Sequence, residues 1–194
     1  MAGRPKIFDE QEVINKAVEV FWNKGYEASS ADELLAAMGI GKGSFYLSFK
    51  GGKKELFEKS LKQFADADLS AFRQKLAGSA NPIQEIKDFF LGLLDAPAVR
   101  KAKGCYVGNG LMEMSTKDAH LKELTGRLLA GMEALFTETI RQAQQKGQLK
   151  TTEKPEVLGR YLLNLWNGIN VTMRVHPGDD TLKDMIKLNL AVLT

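Results

Sequence analysis

From Asp9 to Leu193 the apolar residues recur every three or four positions, and no stretch keeps the two-residue rhythm of a half-buried strand. That property restricts the chain to an all-α fold. Breaks divide the pattern into nine helical segments. The first runs from about Asp9 to Lys24, with Ile14, Ala17, Val18 and Phe21 on its inner stripe and Gly25 as its stop. Ser30-Ala31-Asp32-Glu33 places a Glu three residues after a Ser, the capping-box signature, so a short second helix starts at Ala31 and breaks at Gly39. The third covers about Lys42–Phe49, between Gly41 and the pair Gly51-Gly52. Further segments follow at about Lys53–Leu76, from Asn81-Pro82 to Leu94, a short one at Tyr106–Met114, then Ala119–Lys146, Pro155–Val175 and Thr181–Leu193. The stretch through Pro97 and Gly104 reads as a loop. The double glycine marks the division into a small module, 1–52, and a larger one, 53–194.

Charge is distributed unevenly on a chain whose net charge is only +3. Residues 9–33 hold seven acids against Lys16 and Lys24, whereas residues 40–54 hold Lys42, Lys50, Lys53 and Lys54 and no acid. A local basic face on a nearly neutral chain suits a phosphate-gripping site better than a coat of polycation. The single cysteine, Cys105, excludes an internal disulfide framework and a cysteine-based zinc site and suits a reducing compartment. No apolar run has the roughly 18–20 residues a membrane span requires, and the polar Met1–Lys6 start lacks the apolar region of a signal peptide. The expectation is a cytoplasmic protein with no membrane partner, no metal and no cofactor. His120 and His176 are far apart, and no nucleophile is accompanied by a base and an orienting group, so an enzyme is not expected.

Three short helices with a tight glycine turn before the third make a helix-turn-helix, whose last helix lies in the major groove of DNA. The residues there have the matching chemistry. Lys42 can reach a phosphate or a guanine edge, Gly43 lets backbone approach closely, Ser44 can bond a base or phosphate, and Tyr46 offers a hydroxyl. Ser30 lies at a helix N-terminus, where backbone N–H groups attract a phosphate, and Lys53 and Lys54 open the next helix. Phe45 and Phe49 face inward.

The stretch from Ser30 and Glu33-Leu34-Leu35-Ala36-Ala37-Met38-Gly39-Ile40-Gly41-Lys42-Gly43-Ser44-Phe45-Tyr46 to Phe49, followed by Lys54-Glu55-Leu56-Phe57, resembles the DNA-binding domain of the TetR family of repressors. Lys103-Gly104-Cys105-Tyr106-Val107-Gly108-Asn109 is similar to a segment recurring in one branch of that family. The resemblance implies a homodimer formed by the last two long helices, a palindromic double-stranded operator, and a small-molecule inducer whose binding shifts the fourth helix. It also carries DNA contact onto Ser30, Lys42, Gly43, Ser44, Tyr46 and one lysine of Lys53 and Lys54. Three departures stand out: Gly41 where a Ser cap is frequent, Ser48 where a His is frequent, and the extra glycine at Gly51-Gly52. Gly3-Arg4-Pro5-Lys6 resembles an AT-hook core, so Arg4 is a candidate for the adjacent minor groove.

Candidate ligand-binding residues lie in the later helices. Phe64, Phe89, Leu93, Tyr106, Met112 and Trp166 are core residues or the apolar lining of a pocket. Asn109, Asn167 and Asn170 each need a partner, inside the chain, across a dimer interface or on a ligand. Cys105 is either a small buried residue or a reactive thiol in the pocket. A helical small-molecule or thiol sensor without DNA binding is the alternative reading.

Overall fold

The computed structural model describes residues 8–177 and 180–194. Within them the chain forms α1 (Glu10–Lys24), α2 (Ala31–Met38), α3 (Lys42–Ser48), α4 (Gly52–Gly78), α5 (Pro82–Gly92), α6 (Ala98–Lys103), α7 (Tyr106–Met114), α8 (Ala119–Gln145), α9 (Pro155–Val175) and α10 (Asp180–Leu190). No strand occurs among the described residues. All nine expected helices are present, and α6 is an addition. It is a six-residue helix started by Pro97, buries none of its side chains, and so has no apolar stripe that periodicity could detect. A 3₁₀ turn, Leu93–Asp95, joins α5 to it.

Local chemistry explains most boundaries. Asp9 caps α1 by accepting the Gln11 N–H at 2.8 Å, and Asp118 caps α8 by accepting that of Leu121 at 3.0 Å. Pro82 and Pro155 stand in first turns, where no intrahelical donor is lost. Gly39 ends α2 at φ +69°, in the left-handed region. The chain end is fastened too: the Thr194 carbonyl accepts the N–H groups of Lys150 and Thr151.

Two apolar clusters fill the molecule. The first joins α1, α2 and α3 to the start of α4, to α7 and to the start of α8, around Phe21, Phe49, Phe57, Tyr106 and Leu121. The second joins the end of α4 to α5, α8, α9 and α10, around Ile86, Phe90, Phe136, Leu162 and Ile186. The core of the first three helices therefore continues past the double glycine into α7, and α4 runs through both clusters. Phe57 is its hub, with ring centroids 4.9 Å from Phe21 and 5.0 Å from Tyr26.

Helices α8 and α9 pack antiparallel, as the pairs Glu133–Arg160 and Arg141–Glu156 show. They approach closely at Gly159, where an added Cβ would stand 2.0 Å from Thr137 Oγ1 and 3.1 Å from the Glu133 carbonyl. The hydroxyl can turn away, but the carbonyl cannot. Gly159→Ala is therefore expected to destabilise the chain by about 1–3 kcal/mol through overpacking. Thr137→Ala in the same chain should recover part of that loss, as read from urea unfolding midpoints. An unchanged midpoint in Gly159→Ala would contradict the packing argument.

Candidate nucleic-acid interface and the hollows behind it

The candidate DNA-reading head, α1 to α3, is built from its caps outward. Ser30 Oγ accepts the Glu33 N–H at 3.2 Å, and Glu33 Oε2 accepts the Ser30 N–H at 3.2 Å, so the capping box is closed on both sides. Lys24 also donates to Glu33. That bond, followed by those from Ser30, holds the Glu33 carboxyl down at about 2. The short α3 is oriented by Phe45 and Phe49, both buried, with ring centroids 5.3 Å apart. One helical turn separates them, so the opposite face must point outward.

That outer face carries Lys42, Gly43, Tyr46 and Leu47. Lys42 and Gly43 are exposed, Ser44 is partly buried, Tyr46 is 49% exposed and Leu47 is 81% exposed. Gly43 has nothing within 4 Å of where a Cβ would stand, so its backbone is bare to an approaching partner. The cap of α3, Gly41, supplies no side-chain acceptor, which leaves first-turn N–H groups available. Leu47 is an addition to the expected set, and its signal was in the sequence: an apolar residue out of register with Phe45 and Phe49. An exposed apolar side chain on this face has the chemistry to meet a thymine methyl.

The two lysines that open α4 point elsewhere. Lys53 Nζ donates to the carbonyls of Tyr26 at 2.9 Å and Ser29 at 3.1 Å and lies 4.4 Å above the Tyr26 ring, so it closes the α1–α2 turn from within. Lys54 pairs with Asp118 at 2.6 Å. This bond raises the Lys54 pKa and lowers that of Asp118. Both ammonium groups, one of which was expected to meet phosphate, thus have partners within the chain. Lys42 and Lys50 are exposed and have no ion pair among the described residues. Arg4 lies outside the described residues.

Behind the head, α7 reaches the α1–α2 turn directly. Glu113 accepts the N–H of Tyr26 at 2.8 Å on one oxygen and that of Glu27 at 2.9 Å on the other. The preceding Gly25 has φ +83°, and a Cβ there would stand 2.8 Å from the Glu113 carboxylate. The turn is shaped around this group. Further along α1, Trp22 Nε1 donates to the Gly104 carbonyl at 3.2 Å, Arg100 stacks on the Trp22 ring at 3.9 Å, and Lys103 pairs with Glu19 at 2.6 Å. Nothing local in the sequence marks Glu113, whose partners are 86 and 87 positions away.

Two hollows flank α7. One half-open hollow of about 410 Å³ is lined by Phe64, Phe89, Leu93, Cys105 and Trp166 of the expected set, together with Phe72, Met132, Asp68 and Arg100. An open groove of about 1010 Å³ is lined by Cys105, Asn109, Met112, Asn167 and Asn170. Cys105 caps α7, accepting the Gly108 N–H at 3.3 Å, and borders both. Tyr106 lines neither: it is buried in the first cluster, its hydroxyl is 2.7 Å from Ser60 Oγ, and burial pushes its pKa up. Asn109 is satisfied internally, donating to the Lys103 carbonyl at 2.8 Å and accepting from Arg174 at 2.6 Å. Asn170 donates to the Trp166 carbonyl at 2.9 Å. The Asn167 side chain has no hydrogen-bond partner among the described residues.

Two family profiles match the chain. One, bacterial regulatory proteins of the tetR family, covers residues 13–59, and the other, tetracyclin repressor-like C-terminal domain, covers residues 80–188. The chain is 29% identical over 193 residues to an uncharacterized HTH-type transcriptional regulator, YezE, of Bacillus subtilis (strain 168), spanning 98% of this chain and 99% of that one. It is 24% identical over 178 residues to the HTH-type transcriptional repressor DhaR of Mycobacterium sp. (strain GP1), spanning 91% and 87%. Among solved structures, reduced NemR of E. coli superposes with a TM-score of 0.85 at 18% identity, over 96% of this chain and 98% of that one. A cysteine mutant of CifR complexed with 26-bp double-strand operator DNA superposes with a TM-score of 0.78 at 23% identity, over 97% and 98%.

The capping box gives the head a pH signature. A carboxyl held below its ordinary value contributes stability that is complete above that value and is lost as pH falls through the depressed one. For Glu33 the window runs from about 4.5 down to about 2. The thermal midpoint should decline through this window, and Glu33→Gln should flatten that part of the profile. A profile identical in the variant would contradict the assignment.

Proposed function

The chain belongs to the TetR family of bacterial regulatory proteins, and from that membership we propose that it is a ligand-responsive repressor which binds a palindromic operator as a homodimer and is released by a small-molecule inducer. The observation that carries this reading is the outer face of α3: an exposed lysine, a bare glycine, a half-exposed tyrosine and an exposed leucine, presented by a helix whose other face is anchored in the core. Lys42, Gly43, Ser44, Tyr46 and Leu47 read the major groove, and Ser30 with the N-terminus of α2 receives a phosphate. Lys50, exposed, is a further candidate for phosphate contact beside Lys53 and Lys54, whose ammonium groups also hold partners within the chain. Residues 1–52 form the DNA-binding unit and 53–194 the sensing and dimerising unit. The Gly104-Cys105 to Asn109 segment supports membership of the branch in which it recurs, and an operator partner supports a cytoplasmic location.

Dimerisation is supported by the outer faces of α8 and α9. Ala130 and Ala134 on α8, and Val157, Gly168 and Val171 on α9, are exposed and small or apolar at helical spacing. A self-complementary face of this kind suits a two-fold dimer, which sets the reading helices about 34–36 Å apart. The sensing step travels along α7, whose N-terminal end borders both hollows and whose C-terminal end holds the α1–α2 turn through Glu113. An inducer acts by binding one position of α7 better than the other.

The alternative, a helical small-molecule or thiol sensor without DNA binding, draws on the engagement of Lys53 and Lys54 inside the chain and on the place of Cys105 between the hollows. Titration of operator DNA at increasing salt separates the two. The repressor reading requires affinity that falls steeply with salt, and the alternative requires none to measure.

Two variants test the assignment. Lys42→Ala should cost about 1–3 kcal/mol of operator affinity and Tyr46→Phe about 0.5–1.5 kcal/mol, with folding unchanged. Wild-type affinity in both would remove α3 from the interface. Glu113→Ala should remain folded yet lose most of the inducer-dependent change in operator affinity, which is on the order of 5–150-fold in coupled systems. A full inducer response in that variant would show that the signal takes another route.

A further inference from the structure

The half-open hollow beside α7 has a mostly apolar wall, made by residues such as Phe64, Phe72, Phe89, Leu93 and Met132, and three charged residues, Asp68, Lys75 and Arg100. Lys75 already pairs with Glu85 at 2.8 Å. Arg100, on α6, is half-buried and has no ion pair among the described residues. Trp22 covers one face of its guanidinium at 3.9 Å, and Nη1 donates to the Gly104 carbonyl at 3.0 Å. Nε and Nη2 have no hydrogen-bond partner among the described residues. They are not sealed off either, because the one fully buried side-chain nitrogen or oxygen without a partner among those residues belongs to Trp166. The unused edge of Arg100, Nε with Nη2, therefore stays accessible, and it is the fork that matches a carboxylate with two parallel bonds.

The surroundings favour an anion at that edge. Burial pushes the Arg100 pKa down, and the charge of Asp68 opposes this shift, so the two groups feel each other without pairing. A half-buried cation short of a counter-charge gains from one brought in with a ligand. Asp68 lines the same hollow but is exposed, where solvent and salt screen its repulsion of an incoming anion. A volume of about 410 Å³ is at the small end of the range usual for ligand sites and suits a two-ring body. Phe72 and Phe89, stacked with centroids 4.4 Å apart, give that body an aromatic wall.

We propose that the half-open hollow takes a small apolar carboxylate, with its body against Phe72 and Phe89 and its carboxylate paired with the free edge of Arg100. This rests on the reading of the hollow as the inducer site.

Three probes of one size separate the contributions: naphthoate, an anion; naphthamide, its neutral counterpart; and naphthylmethylammonium, a cation. Each is titrated into the full chain while the thermal midpoint and the Trp22 indole N–H resonance are followed. Naphthoate should bind about tenfold more tightly than naphthamide, as a charge-assisted pair allows, and the cation more weakly than either. Naphthoate should also shift the Trp22 resonance further than naphthamide does, because it draws on the guanidinium stacked there. Arg100→Gln should lower naphthoate affinity about tenfold and leave naphthamide affinity within about twofold. Asp68→Asn should raise naphthoate affinity about two- to fivefold by removing a like charge. If Arg100→Gln does not fold, the wild-type ratio and Asp68→Asn decide. Amide or cation binding as tightly as the acid, an Asp68→Asn chain that binds the acid more weakly, acid affinity unchanged in a folded Arg100→Gln, or no binding of any probe at millimolar concentration overturns the proposal.

The same samples, assayed on operator DNA, keep the two readings apart. Arg100-dependent naphthoate binding without operator release supports the ligand class and removes the inducer role of this hollow. Operator release by compounds whose binding is indifferent to Arg100→Gln overturns the ligand class and leaves the repressor reading in place.

Discussion

The orientation of the reading head depends on one carboxylate. Glu113, at the end of α7, receives two adjacent backbone N–H groups of the α1–α2 turn, and the turn can close around it only because Gly25 has no side chain to obstruct it. Charge-assisted bonds of this kind are worth about 1.5–3 kcal/mol each when well buried, and less here because the carboxylate is partly exposed. Their importance is positional. The turn leads directly to Ser30 and the capping box, and so fixes where α2 starts and where α3 lies. Lys53 holds the same turn by donating to its carbonyls. The turn is thus bound by a carboxylate from α7 and an ammonium from α4.

Such an arrangement makes sensing and DNA reading a single packing problem. The first apolar cluster includes α7 and the start of α8 along with the three head helices, so α7 cannot shift without disturbing the surroundings of Phe21 and Phe57. Close-packed cores resist gradual deformation and favour a small number of discrete arrangements. The hollows lie on either side of α7, with Cys105 at the boundary between them. A molecule entering either hollow meets the same helix whose far end shapes the turn.

Much of the fold was legible in the sequence because its determinants are local. The capping box at Ser30 and Glu33, the glycine stops at Gly25 and Gly39, the Asn81-Pro82 start and the Phe45/Phe49 register all act within four residues. The exposed Lys42, Gly43 and Tyr46 follow from that register. What stayed hidden is tertiary. Lys53 and Lys54 form part of a basic run in the sequence but find partners 24 to 64 residues away. Tyr106, adjacent to pocket residues in sequence, turns to Ser60 and the core instead. Helix α6 buries no side chain and leaves no stripe to read, and Glu113 has the sequence environment of any surface acid.

The central claim is that the α1–α2 turn is built on the Glu113 carboxylate, and backbone amide exchange measured residue by residue on the full chain tests it most directly. The account predicts that the Tyr26 and Glu27 amides exchange as slowly as those inside α7, and that Glu113→Ala frees both while α1 stays protected. Exchange of these two amides at the rate of an open loop in the wild-type chain would contradict it.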